Sequence, residues 1–294
     1  MVESKVKVGI IGGSGLGDAL CGQTGGRKRR LRTPFGAPSD AIIETAWHGV
    51  PMAILNRHGP GHALPPARVN YRANIYALKA LGCTHVIASG AVGSLRDHIQ
   101  PKHLVVPDQV IDKTWRRATT FFDELAVHVE FAYPFCTVLR RHLLNCAGAV
   151  KTEVHDGGTY VCMEGPAFST RAESEMHRLW GGDLIGMTCM PEAKLAREAE
   201  MGYALVALPS DYDCWRPAPA DLDKHELLKE IIGNLAQATA NAITLIKFAV
   251  ERFGEIADVV CPAHSALELG IWTERKHIPA AVKKKLGVLV KKYL

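Results

Sequence analysis

Short uninterrupted apolar runs alternate with stretches of three-and-four spacing along most of the chain. Residues 6–11 form one such run and stop at Gly12-Gly13-Ser14-Gly15, which predicts a buried strand entering a glycine turn. Residues 41–47 and 52–55 are β-rich and flank His48-Gly49-Val50-Pro51, a hairpin pattern. Over residues 66–81, Val69, Arg72, Ala73, Tyr76, Ala77 and Ala80 recur at helical spacing, and Gly82 ends the run. Further strands are predicted at 84–88, 104–111, 158–163, 184–188 and 203–209. Further helices are predicted at 135–146, at 170–180 with Ser169 as cap, and at 191–201 with Pro191 near its first position. A long helical region covers 221–253, with a break or kink near Gly233. Residues 257–294 are the least patterned, and Lys283, Lys284, Lys285, Lys291 and Lys292 read as the outer face of a short helix.

Alternating strands and helices argue for an α/β fold with helices on the faces of a sheet. No internal repeat and no long Pro/Gly/Ser linker divides the 294 residues, so one domain is expected over 1–294. Hydrophobic residues at 47% and charged residues at 22% exclude disordered and low-complexity classes. No window approaches 18 consecutive apolar residues, so no membrane span is expected. The first residues carry charges but no apolar core of a secretory leader. Eight scattered cysteines lack any C-x-x-C pair, which argues against a structural zinc site or a disulfide framework. A reduced, cytoplasmic protein is the expectation. The net charge of +5 suits a small anionic ligand. The run Arg27-Lys28-Arg29-Arg30-Leu31-Arg32 reads as a solvated loop, because a nucleic-acid footprint would interleave aromatics.

In open α/β sheets ligands gather at the carboxyl ends of strands. Five segments there carry candidate chemistry. Gly12-Gly13-Ser14-Gly15-Leu16-Gly17 is either an anion cradle or a plain tight turn. Its spacing fits neither the dinucleotide fingerprint nor a Walker loop. Arg57 and His58, with His62 in the same loop, offer a cation and a second donor for an oxyanion. As metal ligands His58 and His62 lack a third partner. Ser89-Gly90-Ala91-Val92-Gly93-Ser94 reads as a loop exposing backbone amides, and Gly186-Met187-Thr188 adds a hydroxyl. Asp211 and Asp213 can read donors on a heterocycle, or one can hold a proton. Paired Asp residues can equally be a helix cap or a salt bridge. Anion donors from four segments and acids from a fifth point towards nucleoside chemistry.

The motifs Gly12-Gly13-Ser14-Gly15-Leu16, Arg57-His58-Gly59, Val69-Asn70-Tyr71-Arg72-Ala73-Asn74 and Cys83-Thr84-His85-Val86-Ile87 resemble one enzyme family. So do Glu164-Gly165-Pro166-Ala167-Phe168-Ser169-Thr170-Arg171-Ala172-Glu173-Ser174 and Asp211-Tyr212-Asp213-Cys214-Trp215, the two most specific stretches. These are motifs of the methylthioadenosine phosphorylases, within the trimeric purine nucleoside phosphorylase family. The resemblance runs over residues 5–253, and residues 257–294 match poorly as a C-terminal extension. It implies the nucleoside phosphorylase type of fold, a single domain with a central mixed β-sheet flanked by helices. It implies phosphorolysis of a 6-aminopurine nucleoside, with phosphate as co-substrate and no metal or organic cofactor. It places Ser14, Arg57, His58, the Gly90 and Ala91 backbone and Thr188 on phosphate, and Met187 along the ribose. Phe168 and Ser169 would face the base, with Asp211 and Asp213 at its polar edge and Asp211 as the catalytic acid. Relatives acting on 6-oxopurines usually carry Asn at that position, so adenine-type bases are expected. His62 and His128 resemble residues that such homotrimers lend to a neighbouring subunit. Small-molecule partners are implied, with no nucleic acid and no membrane.

Three departures stand out. Gly90 replaces a usual Thr, and Ala167 a usual Arg. Near the start of the long helix, Asp223-Lys224-His225-Glu226 stands where an apolar residue would meet the 5′-methylthio group. His225, or Lys224 if the alignment slips by one, would instead contact a 5′-hydroxyl, making adenosine the alternative substrate. A non-catalytic nucleoside-binding protein is the remoter alternative.

Overall fold

The computed structural model describes residues 6–13, 15–216 and 223–294. Among them are the strands β1 (Val8–Gly12), β2 (Arg27–Arg29), β3 (Ile42–Trp47), β4 (Val50–Asn56), β5 (His85–Ser94) and β6 (Leu104–Val106). β7 (Gln109–Asp112), β8 (Val154–Asp156), β9 (Thr159–Cys162), β10 (Leu184–Gly186) and β11 (Gly202–Asp211) complete one mixed sheet. The helices are α1 (Leu16–Thr24), α2 (Tyr71–Ala80), α3 (Thr137–Asn145), α4 (Arg171–Leu179), α5 (Glu192–Glu198), α6 (Lys224–Glu251) and α7 (Ala280–Leu286). The main path runs β2-β3-β4-β1-β5-β10-β9-β7, and β11 pairs β5 and β6 on a branch.

The central strands β1, β5 and β11 are buried at nearly every position because both faces are covered. Along β11, Tyr203, Leu205 and Ala207 enter a core shared with α2, α5 and the C-terminal segment. Ala204, Val206 and Leu208 enter the opposite core, shared with α1, α3 and α6. Each fully buried aliphatic side chain contributes roughly 1.5–3 kcal/mol. Leu267, Ile278, Val282, Leu286, Leu289 and Val290 bring residues 257–294 into the first core, so that segment is integral to the fold. α7 carries Lys283, Lys284 and Lys285 in its last turn, as the pattern predicts, whereas Lys291 and Lys292 lie in a turn beyond it.

Several expectations change. The basic run is an edge strand at Arg27–Arg29, exposed and paired to β3, with Arg29 on Glu44 at 3.0 Å. Charge on an edge strand discourages pairing with other chains. The cap of α4 is Thr170, not Ser169, in a reciprocal capping box with Glu173. α6 runs unbroken through Gly233, and the predicted helix start at 221–222 lies outside the described residues. The strand predicted over 104–111 divides at Pro107, which cannot donate to a ladder.

The largest correction is at residues 89–94. They continue β5 rather than forming a loop. β11 pairs β5 along one edge from His85 to Gly93. On the other edge β1 leaves after Ala88, and β10 arrives antiparallel at Gly93 and Ser94. Residues 89–92 therefore present an open backbone edge in a gap between two partner strands.

Candidate active site

That gap opens into a cavity of about 330 Å³. Gly13, Arg57, His58, His62, Gly90, Ala91, Phe168, Met187, Thr188, Asp211 and Asp213 all line it, from carboxyl ends of different strands. Pro66, Val92, Gly93, Met163, Ile185, Gly186, Ser210, Ile231 and Leu235 complete the wall. Ser14 lies outside the described residues.

β5 acts as a ruler across the cavity. At Gly90 a Cβ would lie 3.1 Å from Thr188 Oγ1, and at Gly13 it would lie 3.1 Å from Arg57 Nη1. At Gly93 it would lie 3.2 Å from Asp211 Oδ1 and 3.1 Å from Asp213 Cβ. The hydroxyl-and-guanidinium pole and the carboxylate pole are thus three residues apart, about 10 Å at 3.3 Å per residue. Only glycine leaves Gly93 room beside Ile185, whose Cγ2 would be 2.9 Å away.

Arg57 is not a free cation. It is fully buried, and its Nε and Nη2 each donate to Glu192 at 2.8 Å. Nη1 donates to the Ser89 carbonyl at 2.8 Å, which anchors the open edge of β5. Tyr203 donates to the same Glu192 carboxylate at 2.9 Å. Burial alone would lower the Arg57 pKa, but Glu192 raises it above its ordinary value. Sequence reasoning missed Glu192. An acid in a helix first turn usually faces solvent, and only the fold shows it fully buried.

His58 is neutral and its tautomer is set. Nδ1 stands 2.8 Å from the Leu64 carbonyl, which can only accept, so Nδ1 carries the proton. Burial and the Arg57 charge push its pKa down to about 4, against the Leu64 bond. Nε2 is therefore an acceptor, suited to a protonated oxyanion rather than to a second donor role. The His62 ring stacks on His58 at 4.1 Å, inside its own chain's cavity.

Asp211 Oδ2 accepts from Ser210 Oγ at 2.7 Å and Oδ1 from the Asp213 amide at 2.8 Å. Burial raises its pKa against those bonds. Burial likewise raises Asp213, whose Oδ2 accepts from Ser174. Ser169 stands behind the wall, its carbonyl accepting from Cys214 and its hydroxyl 3.8 Å from Met163 Sδ. Arg117, also missed, pins that wall from beneath. Its Nη1 donates to the Met187 and Met190 carbonyls at 2.6 Å, and its Nε to Glu164 at 3.1 Å.

Two predicted residues are elsewhere. His128 is exposed beside Trp272, ring centroids 4.6 Å apart, on a separate surface depression. His225 is exposed in the first turn of α6, its amide donating to the Asp223 cap. The α6 residues that reach the cavity are Ile231 and Leu235. Ile231 is six residues on from His225, about 9 Å along the axis at 1.5 Å per residue.

This arrangement has close counterparts. The profile of the phosphorylase superfamily matches residues 7–250. The S-methyl-5′-thioadenosine phosphorylase of Geobacter sulfurreducens is 47% identical over 289 residues, 98% of this chain and 99% of its own. A solved methylthioadenosine phosphorylase from an antarctic soil metagenomic library superposes with a TM-score of 0.85 at 43% identity. That match covers 97% of this chain and 99% of the other. A variant of the Schistosoma mansoni adenosine/methylthioadenosine phosphorylase, in complex with methylthioadenosine, gives 0.81 at 34% identity, over 91% and 99%. The chain belongs to the phosphorylase superfamily and has the nucleoside phosphorylase fold. The resemblance read from motifs over residues 5–253 holds, and the expected poor match of residues 257–294 is corrected, since the alignment covers 98% of the chain.

Proposed function

We propose that this enzyme cleaves S-methyl-5′-thioadenosine with phosphate, giving adenine and 5-methylthioribose 1-phosphate. The observation that carries it is the pairing of an anion pole and an acid pole on one strand edge, closed by apolar α6 side chains. The relatives' activity supports the same reading.

In this reading phosphate sits by Gly13, Ser14, Gly90, Ala91, Thr188 and the Arg57 N–H groups that Glu192 does not hold. The Nε2 of His58 accepts the proton of monohydrogen phosphate. A phosphate oxygen attacks C1′ as the bond to N9 breaks. Its electron pair moves into adenine, and Asp211 delivers a proton at N7. The sugar is cationic in that transition state, and the phosphate charge stabilises it. Proton delivery contributes about 10²–10⁴-fold. Met187 lies along the ribose, Phe168 along the base with Ser169 behind it, and Asp213 accepts from its amino group. No metal or organic cofactor enters these steps.

Ile231 and Leu235 are the fitting neighbours of a methylthio group. The exposed His225, about 9 Å back along the axis of α6, supports no 5′-hydroxyl contact. Phe168, Leu179, Trp115, Leu269 and Trp272 are large apolar side chains left 83%, 86%, 75%, 88% and 68% exposed. A homotrimer that covers them, with His128 meeting a neighbour's cavity, fits the family. Reduced thiols at seven described cysteines fit a cytoplasmic location.

The test is adenine release from methylthioadenosine and adenosine, with and without phosphate, with inosine as control. Phosphate-dependent release favouring methylthioadenosine is expected. A preference for adenosine would overturn the 5′ assignment, and binding without release would overturn catalysis. Native mass spectrometry reads the trimer.

A further inference from the structure

Opposite the cavity, at the amino ends of the same strands, a second cluster is unused by this chemistry. His85 opens β5, Cys136 caps α3, and Cys261 and His264 belong to the turn Pro262–Ser265 and its cap. Ligand-capable atoms of His85, Cys261 and His264 lie within 4.8 Å of one another. Cys136 Sγ stands outside that group, 2.9 Å from Cys261 Sγ. A Cβ on Gly202 would stand 2.7 Å from His85 Cδ2, 3.1 Å from Cys261 Sγ and 3.3 Å from Cys136 Sγ. Three groups from distant segments therefore converge on one point.

The imidazoles are oriented towards a ligand. His85 is 1% exposed, its Nδ1 meets the Thr84 hydroxyl at 3.0 Å, and its Nε2 is buried with no hydrogen-bond partner among the described residues. His264 places Nε2 at 3.0 Å from the Thr84 carbonyl, which leaves Nδ1 free to coordinate. A single residue thus holds the outer nitrogen of both rings, as residues behind metal-bound histidines do. Phe253 closes the cluster on an apolar side, 5.2 Å from the His85 ring.

We propose that Cys136, Cys261, His85 and His264 hold one zinc ion. Two thiolates and two neutral imidazoles form a tetrahedral set whose total charge with zinc is zero, so burial carries little penalty. Binding displaces one proton from each thiol and changes no oxidation state. Two bonds of about 2.3 Å at the tetrahedral angle set the sulfurs about 3.8 Å apart, so they open from 2.9 Å on loading. The ion ties the C-terminal segment to β5 and α3. Scattered cysteines hid this set, because its ligands come from three distant stretches and only Cys261-Pro-Ala-His264 is local.

The experiment uses the full-length protein grown with zinc. Elemental analysis is expected to find one zinc per chain. Cobalt(II) added to chelator-stripped protein gives a thiolate-to-cobalt charge-transfer band that zinc bleaches. Cys261→Ser abolishes the band. Thr84→Val, which keeps every ligand, weakens zinc about 10–100-fold and leaves phosphorolysis unchanged. If Cys261→Ser fails to fold, the wild-type cobalt spectrum and Thr84→Val still decide. Absence of stoichiometric metal and of the band overturns the proposal. So does a chain about two mass units lighter, which would mean a Cys136–Cys261 disulfide. So does metal that is lost instead on His155→Ala, in the surface group of His103, Glu153 and His155.

Discussion

Replacing Glu192 by glutamine tests whether Arg57 is held as a buried ion pair. Both side chains are 0% exposed, and two bonds of 2.8 Å join them. The variant removes the only carboxylate bonded to Arg57 among the described residues, while the guanidinium stays charged. Breaking a buried pair from one side costs about 3–5 kcal/mol. The carboxamide keeps one acceptor oxygen, so the lower end, about 3 kcal/mol, is expected. Phosphate supplies the second half of the test. Arg57 and Glu192 together carry no net charge, whereas Glu192→Gln leaves a net positive charge in the cavity wall. Bound phosphate then offsets more in the variant than in the wild type. Urea unfolding at fixed protein concentration and ionic strength, over a phosphate series, reads both effects. Phosphate at 100 times its dissociation constant stabilises a binding protein by about 2.7 kcal/mol. The variant should bind more tightly and recover part of its deficit. A loss under about 1 kcal/mol, or equal phosphate stabilisation of both proteins, would refute the reasoning.

Asp211→Asn should raise the inosine-to-adenosine ratio of kcat/KM by about 10- to 100-fold, since one hydrogen-bond pattern is exchanged for another; an unchanged ratio would remove Asp211 from the base site. Ile231→Asn should lower kcat/KM for methylthioadenosine about 10-fold relative to adenosine, while His225→Val leaves that ratio unchanged; competition assays read both. Burial raises Glu198 to about 7, against bonds from Thr120 and Phe121. The native state then holds a proton that the unfolded state has released, so this contribution is full below the ordinary 4.5 and lost as pH rises through 7. Glu198→Gln should flatten that decline in unfolding experiments between pH 4.5 and 7. His58, lowered to about 4, acts with the opposite sign, its contribution lost as pH falls from 6.5.

The sequence alone determined the α/β class, most elements and most of the residues that meet in the cavity. Uninterrupted runs such as residues 202–211 report strands covered on both faces, and the motifs around Arg57, Glu164 and Asp211 carry the family. Ten of the expected site residues do line one cavity, including Arg57, Thr188 and Asp211. Local pattern failed where meaning depended on a distant partner. Small residues at 89–94 read as a loop because sequence shows no strand ending beside them, yet β1 stops there and leaves a bare strand edge. Arg57 read as a free cation because Glu192 is 135 residues away. The apolar wall from α6 belongs to Ile231 rather than to the helix start, because the helix enters the cavity by its second turn. Hydrophobic periodicity is a property of neighbours along the chain. Ion pairs, open edges and ligand clusters are properties of neighbours in space, and only packing brings those together.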